Sequence, residues 1–462
     1  MKKKYVRWTL WTIASPFILF IILCILIYLP PIQNFLVDKA AVYASEATGM
    51  NISVGRISLS FPLNLVVTNV DAASPHNDTL LSVRRLQVNV QLLPLLKKQV
   101  EVDGISLQGA TVNSNDLIHG MKLNGTLGEL FISSHGVALD PETAIVNKVL
   151  LKDTDLSLCL NDTAAADTAA SDTTYWKIIL QDIDLQNVSF ALDMPLDSLS
   201  LAASLDNAIL RDGLIDLHKS AYSLQTFRIE NGRVRYDNGK PLAADSLSSG
   251  LDPSHIALTD IGVKLDSLYY EGRNMKAIIS QFVLKEHSGV EIVSATGRMV
   301  SNDKVLRVPS LKLETRDSYL ELNAAMDWNA LDFKDEGLVS ARLMADIGKP
   351  DVVRFMGSMD EKFIRQYPSE PLRIRTGIDG DLNKLKLTTL TAELPGALGL
   401  FARGELTHLT DSLLRGGDIT LEAETKDLKF VSTLAEGIEI PYGTRLEGKF
   451  TMAGTKMGTD LL

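Results

Sequence analysis

From Asn51 almost to its end, this chain repeats apolar residues at every second position, and that period constrains its fold more than any other feature. In "RRLQVNVQLL", Leu86, Val88, Val90 and Leu92 alternate with Gln87, Asn89 and Gln91; in "VGRISLSF", Ile57, Leu59 and Phe61 alternate with Ser58 and Ser60. Successive strand side chains point to opposite faces, so such runs predict antiparallel strands with one apolar and one wet face. Similar runs, bounded by Gly, Asn, Asp or Ser, include "KQVEVDGISLQGATVN", "WKIILQDIDLQNVSFALD", "HIALTDIGVKLDSLYYEG" and "TRLEGKFTMAG". A strand and turn every ~12–16 residues predicts about 25–30 strands. Helical patterning is confined to "KPDVVRFMGSMDEKFIRQY" near 349–367 and "KFVSTLAEG" near 429–437.

So many one-faced strands must cover their apolar side. A sandwich does it with a second sheet, whereas a long sheet curled into a trough needs an apolar guest. The period alone leaves both open, and no strict repeat supports a propeller or β-helix. A net charge of −11 lacks the basic excess that phosphate neutralisation requires, so nucleic acid is not an expected partner.

The N-terminus carries a different signal. "LWTIASPFILFIILCILIYL" holds no charge over residues 10–29. Such a helix spans ~30 Å, the thickness of a bilayer core. Lys2, Lys3, Lys4 and Arg7 precede it and the next charge is Asp38, so the positive-inside rule keeps residues 1–9 cytoplasmic and exports the rest. Leu10, Phe17, Phe20 and Leu29 belong to this expected anchor. No small-residue cleavage site follows it, as a signal peptide requires. Within 30–50, Ile32, Phe35, Leu36, Ala40, Tyr43 and Ala47 recur at helical spacing and predict a short amphipathic helix.

Reactive chemistry is not expected. The histidines His76, His119, His135, His218, His255, His287 and His408 show no metal-ligand spacing, and Cys24 and Cys159 complete no CxxC. "GTRLEGKFT", 443–451, has the glycine–lysine spacing of a phosphate loop, but Phe450 stands where such a loop needs Ser or Thr, and the pattern is that of a strand. The pairs Asp153/Asp155 and Asp182/Asp184 are expected on the solvent face. "NDTAAADTAASDTT", 161–174, reads as a solvated hairpin loop, and its aspartates are spaced wrongly for a calcium loop. No enzyme, cofactor or metal site is predicted.

Longer phrases carry a resemblance. "GMNISVGRISLSFPLNLVVTNV" and "DTLLSVRRLQVNVQLLPLLKKQVEVDGISLQGATV", behind a charged N-terminus and one span, resemble the start of the AsmA-like superfamily, most of all its TamB-type members. "HSGVEIVSATGRMV" and "LKLETRDSYLELN" resemble their repeated strands. The resemblance covers about the first 120 residues well and the remainder loosely, through structural phrases rather than catalytic motifs. It implies an inner-membrane anchor carrying a long periplasmic β-taco whose apolar groove moves phospholipid between the inner and outer membranes. It also implies an alternative role as scaffold for assembly of outer-membrane β-barrels and autotransporters by strand templating, with an Omp85-type partner reached through a C-terminal region.

The resulting expectation is a mainly β chain with few short helices. A first β region spans 51–160, groove strands follow over 175–345, a helical insertion over 346–368, and further strands over 369–462 that stop mid-pattern as in a truncated chain. Leu86, Val88, Val90, Ile105 and Leu107 are expected to line the groove.

Overall fold

A computed structural model describes residues 39, 41–42, 45–46, 49–60, 64–74, 79–90, 102–114, 120–138, 142–161, 175–240, 250–332, 337–355, 361–433 and 442–461. The expected anchor and its flanking cations lie outside these residues. No helix among the described residues is long and apolar enough to cross a membrane. Of the segment 30–50, residues 39, 41, 42, 45 and 46 have helical backbone.

The described chain is overwhelmingly strand and divides into two compact units, 1–197 and 198–462. The first holds β1 (Asn51–Ser60), β2 (Asn64–Ala73), β3 (Thr79–Val90), β4 (Val102–Asn113), β5 (Met121–Ala138), β6 (Thr143–Leu160) and β7 (Lys177–Met194). Strands β1 to β6 pair in chain order, each antiparallel to the last. β7 instead runs parallel to β6, with Val149 beside Ile183 and Leu151 beside Leu185. Residues 162–174 of the expected hairpin loop lie outside the described residues; a parallel pair is joined by a crossover rather than a hairpin. Polar composition marks a connection but not its direction.

The second unit holds β8 (Leu199–Asp216), β9 (Ala221–Leu224), β10 (Thr226–Asp237), β11 (His255–Glu271), β12 (Asn274–Glu286), β13 (Glu291–Ser301), β14 (Val305–Thr315) and β15 (Tyr319–Asp327). It continues with β16 (Leu338–Ile347), β17 (Leu372–Asp381), β18 (Lys384–Leu394), β19 (Leu398–Thr407), β20 (Gly416–Thr425), β21 (Arg445–Ala453) and β22 (Lys456–Leu461). β9 and β10 are separated only by Gln225 and lie between β8 and β11; from β10 onward each strand pairs antiparallel with the next.

Twenty-two strands are described, fewer and longer than the sequence predicts, with β5, β6, β7 and β8 each 18 residues long. The reason is local. "VDGISLQGATVN" reads as short runs broken by glycine, yet it is one strand, β4, with Gly109 held at φ 63° inside it. Glycine marks a bend there, not an end.

The helical pattern near 349–367 gives two short helices, α2 (Lys349–Phe355) and α3 (Glu361–Gln366), preceded by a single turn, α1 (Trp328–Leu331). The segment near 429–437 gives a 3-10 turn at Val431–Thr433. Phe363 on α3 and Tyr367 just after it, four residues apart and so on one side of a helix, pack with Phe430, ring centroids 5.2–5.8 Å apart. Leu394, Ala397 and Leu428 complete this cluster, the largest buried one described. α2 is pinned by Asp351, 1% exposed, whose carboxylate accepts hydrogen bonds from Ser318 Oγ (2.6 Å), Thr315 Oγ1 and Arg354 Nη1 (3.1 Å).

Candidate functional site

Residues directly opposite one another in a ladder share a face, so the registers decide which side chains form a continuous surface. In the first unit one row reads Leu59, Leu65, Val88, Ile105, Ile132, Val149 and Ile183 across all seven strands. Two residues along each strand, the parallel row reads Ile57, Val67, Leu86, Leu107, Leu130, Leu151 and Leu185. Every position in both rows is aliphatic. The next row outward on the opposite face is polar throughout, including Arg56, Thr68, Arg85, Gln108, Glu129 and Lys152.

Four of the residues expected to line a groove, Leu86, Val88, Ile105 and Leu107, therefore lie in two adjacent rows of one apolar face. Val90 meets Val102 beyond a register shift in the same pair of strands. Asp182 and Asp184 fall on the opposite face from Val149 and Ile183, in line with Lys148 and Leu150.

The apolar rows continue past a level at which four strands of this unit, β2, β4, β6 and β7, turn a corner through a left-handed residue. Asn69, Gly109, Asp153 and Asn187 have φ of 51°, 63°, 49° and 51° at that level. Left-handed backbone of this kind is tolerated by Gly, Asn and Asp and resisted by other residues. Each strand carries two consecutive outward residues there, and Arg84–Arg85 and Gln186–Asn187 are all exposed. The facing strands accommodate the corner with glycine: a Cβ on Gly128 would sit 2.8 Å from the Cβ of Asp153, and one on Gly55 3.0 Å from that of Asn69. Asn187 Nδ2 donates to Asp153 Oδ1 at 2.9 Å along the outer side. Beyond the corner the apolar row resumes as Val54, Val70, Val83, Ala110, Leu127, Thr154 and Val188, in which Thr154 alone is polar.

The second unit repeats this arrangement. One register row runs from Ala208 and Ile229 through Phe282, Leu313 and Ile374 to Leu446 without meeting a polar residue. The neighbouring row, from Leu210 to Gly448, contains a single polar residue, Thr376. Asn231 (φ 54°) and Asp260 (φ 52°) turn the same kind of corner in β10 and β11. On the other face, opposite charges pair across strands, as in Arg375–Asp346 (2.8 Å), Lys449–Asp418 (3.0 Å) and Lys285–Asp260 (2.7 Å). Exposed pairs of this kind contribute little individually and keep that face wet.

Burial sets this apolar face apart from a sandwich interior. A second sheet would cover the large side chains almost completely. Here Leu65, Val88, Leu107, Ile132, Ile229, Leu313 and Leu400 remain half-buried, Ile105 is 38% exposed, and the buried members of the rows are mostly alanines such as Ala110, Ala208, Ala295 and Ala345. Each of these large side chains keeps part of its surface exposed.

The described residues contain no cluster of His, Cys, Asp and Glu able to hold a metal ion. The segment resembling a phosphate loop lies largely within β21, which is paired on both sides. His255 Nδ1 lies 2.8 Å from Asp252 Oδ2, and its Nε2 lies 3.5 Å from Asp237 Oδ1. This pairing holds the His255 pKa above its ordinary value and the Asp252 pKa below. Glu286 is pushed up by burial, but hydrogen bonds from Ser288 and from the backbone of Ala257 and His287 overcome that and lower its pKa. Both groups fasten strand ends, and neither sits on the apolar rows.

Sequence reasoning missed the corners. Their signal was present as Asn, Asp or Gly inside alternating runs, each followed by a switch in which residues are apolar. No protein-family model matches the chain, and no curated protein matches it.

Proposed function

We propose that this chain is a non-enzymatic envelope-biogenesis protein, tethered in a bacterial inner membrane by residues 10–29, whose apolar face binds and conducts phospholipid acyl chains through the periplasm. The observation that carries this reading is the uninterrupted pair of aliphatic rows whose large side chains stay partly exposed among the described residues. A wide apolar surface left uncovered in a strand-built protein marks a binding site. In this reading the corners curl the sheet so that its apolar face becomes the inside of a groove, as in the β-taco of the AsmA-like, TamB-type proteins that the N-terminal phrases resemble.

The mechanism follows from transfer energetics. Each methylene that leaves water for the groove contributes ~0.8 kcal/mol. Because both rows of the first unit are aliphatic at every strand, an acyl chain there meets no polar barrier as it moves from one strand to the next. Headgroups stay in water at the open slit. A passive groove sets no direction, so net flux needs a gradient or a partner at either end, an Omp85-type outer-membrane protein being the one the resemblance implies.

Site-specific photo-crosslinking in living cells tests the reading. A photoreactive amino acid at Val88 or Ile105 should give phospholipid adducts, and one at Gln87, on the opposite face, should not. Protein adducts alone at Val88 would favour the scaffold role, in which strands template nascent barrels by β-augmentation, and would overturn the conduit.

A further inference from the structure

The corner residues do more than bend the strands. Along β7, Leu185 and Phe190 are five residues apart, so in an unbroken strand they would point to opposite faces. The same holds for Leu86 and Val83 in β3, three apart. Yet their register rows are apolar on both sides of the corner, because each strand spends two consecutive residues on the outer side there: Arg84–Arg85 in β3 and Gln186–Asn187 in β7. In β2, β4, β6 and β7 a left-handed residue, Asn69, Gly109, Asp153 or Asn187, accompanies the one-position shift in alternation, whereas β1, β3 and β5 follow it at the same level without one.

We infer that these four are positioning residues for the apolar path. By resetting side-chain parity at one shared level in β2, β4, β6 and β7, they keep the apolar rows on both sides of that level on one face, so that a single ligand can touch both. This rests on the reading of that face as a lipid path. The placement is specific: the left-handed positions within the strands of this unit are Asn, Asp or Gly, the residues that adopt φ near +50° at least cost. The strands opposite Asn69 and Asp153 supply Gly55 and Gly128, where a Cβ would crowd Asn69 and collide with Asp153 respectively. Asn187 and Asp153 are joined by a hydrogen bond of 2.9 Å, which ties the corners of β6 and β7 together.

The test reads parity rather than stability, using the full chain in cells with a photoreactive amino acid at Ile183, before the corner, and at Val188 or Ser189, after it. The unaltered protein should give lipid adducts at Ile183 and Val188 and none at Ser189. Asn187→Val, whose branched side chain resists positive φ, should move the adduct from Val188 to Ser189 while leaving Ile183 labelled. Asn187→Gly and Asn187→Asp should keep it at Val188. Lipid at Ile183 with Val188 unaffected by Asn187→Val overturns the positioning role alone. No lipid at Ile183 in the unaltered chain overturns the lipid path and the positioning role with it. Should Asn187→Val not accumulate, Gly109→Val read at Val112 and Thr111 makes the same test in β4, with the same outcomes.

Discussion

Asp351 shows how single residues hold this protein together where its core is thin. Its carboxylate is shielded from water, but Thr315, Ser318 and Arg354 satisfy it, and Arg354 also binds Asp317 at 2.9 Å. Asp351→Ala leaves those donors facing an apolar methyl, so we expect a loss of about 3 kcal/mol in the second unit, read as a lower denaturant midpoint. His255 acts through charge. The hydrogen bond its ring donates to the Asp252 carboxylate raises its pKa above the ordinary 6.5, and Asp237 adds to the effect. Stability from a raised histidine is fully present below 6.5 and is lost as pH rises through the folded value. The lowered Asp252 contributes above its ordinary 3.8 and loses its contribution as pH falls through its folded value. The Tm gap between the protein and its His255→Gln variant should therefore be widest at mildly acidic pH and close toward alkaline pH.

At the scale of elements, the alternating runs were readable because a strand with one wet face leaves a period of two in any sequence that forms it. The corners were not readable. Gly109, Asp153 and Asn187 have the composition of turns but lie inside β4, β6 and β7. A turn and a corner need the same backbone freedom, and only the pairing of the strand on both sides tells them apart. The direction of β7 was equally hidden, since composition does not record whether a chain folds back or crosses over. The helices near 349–367 were legible from their apolar spacing, but their role was not. Phe363, 2% exposed, joins the turn between β18 and β19 to the 3-10 turn at Val431–Thr433. Phe363→Ala should cost about 3–5 kcal/mol through the cavity it leaves. Hydrogen exchange should then accelerate in α3 and around Leu394–Leu398 before it does in β10 to β12.

At the scale of the whole molecule, the open rows separate stability from function in a way that a buried core does not. Ile132 sits mid-row in β5 with its outer end uncovered. Ile132→Asp should lower stability by only about 1 kcal/mol, because its outer end is already in water. If acyl chains move along the row, the same charge should abolish lipid adducts at Val88 and Ile105, since a carboxylate in an apolar path must be desolvated as the chain passes. Phe363→Ala should show the reverse pattern, with stability lost and lipid adducts in the first unit unchanged.

By itself the sequence determined that this chain is built of strands with one apolar and one polar face, and that helices fall near 349–367. Those properties are local, since a side chain's face follows from its place in the period. Val88 and Ile105 were identified as apolar-face residues for that reason. That they stand opposite each other, in a row with Ile132, Val149 and Ile183, was decided by tertiary structure. Register is a choice among many pairings of similar local energy, and it is settled only when the apolar positions of every strand, on both sides of every corner, are matched at once.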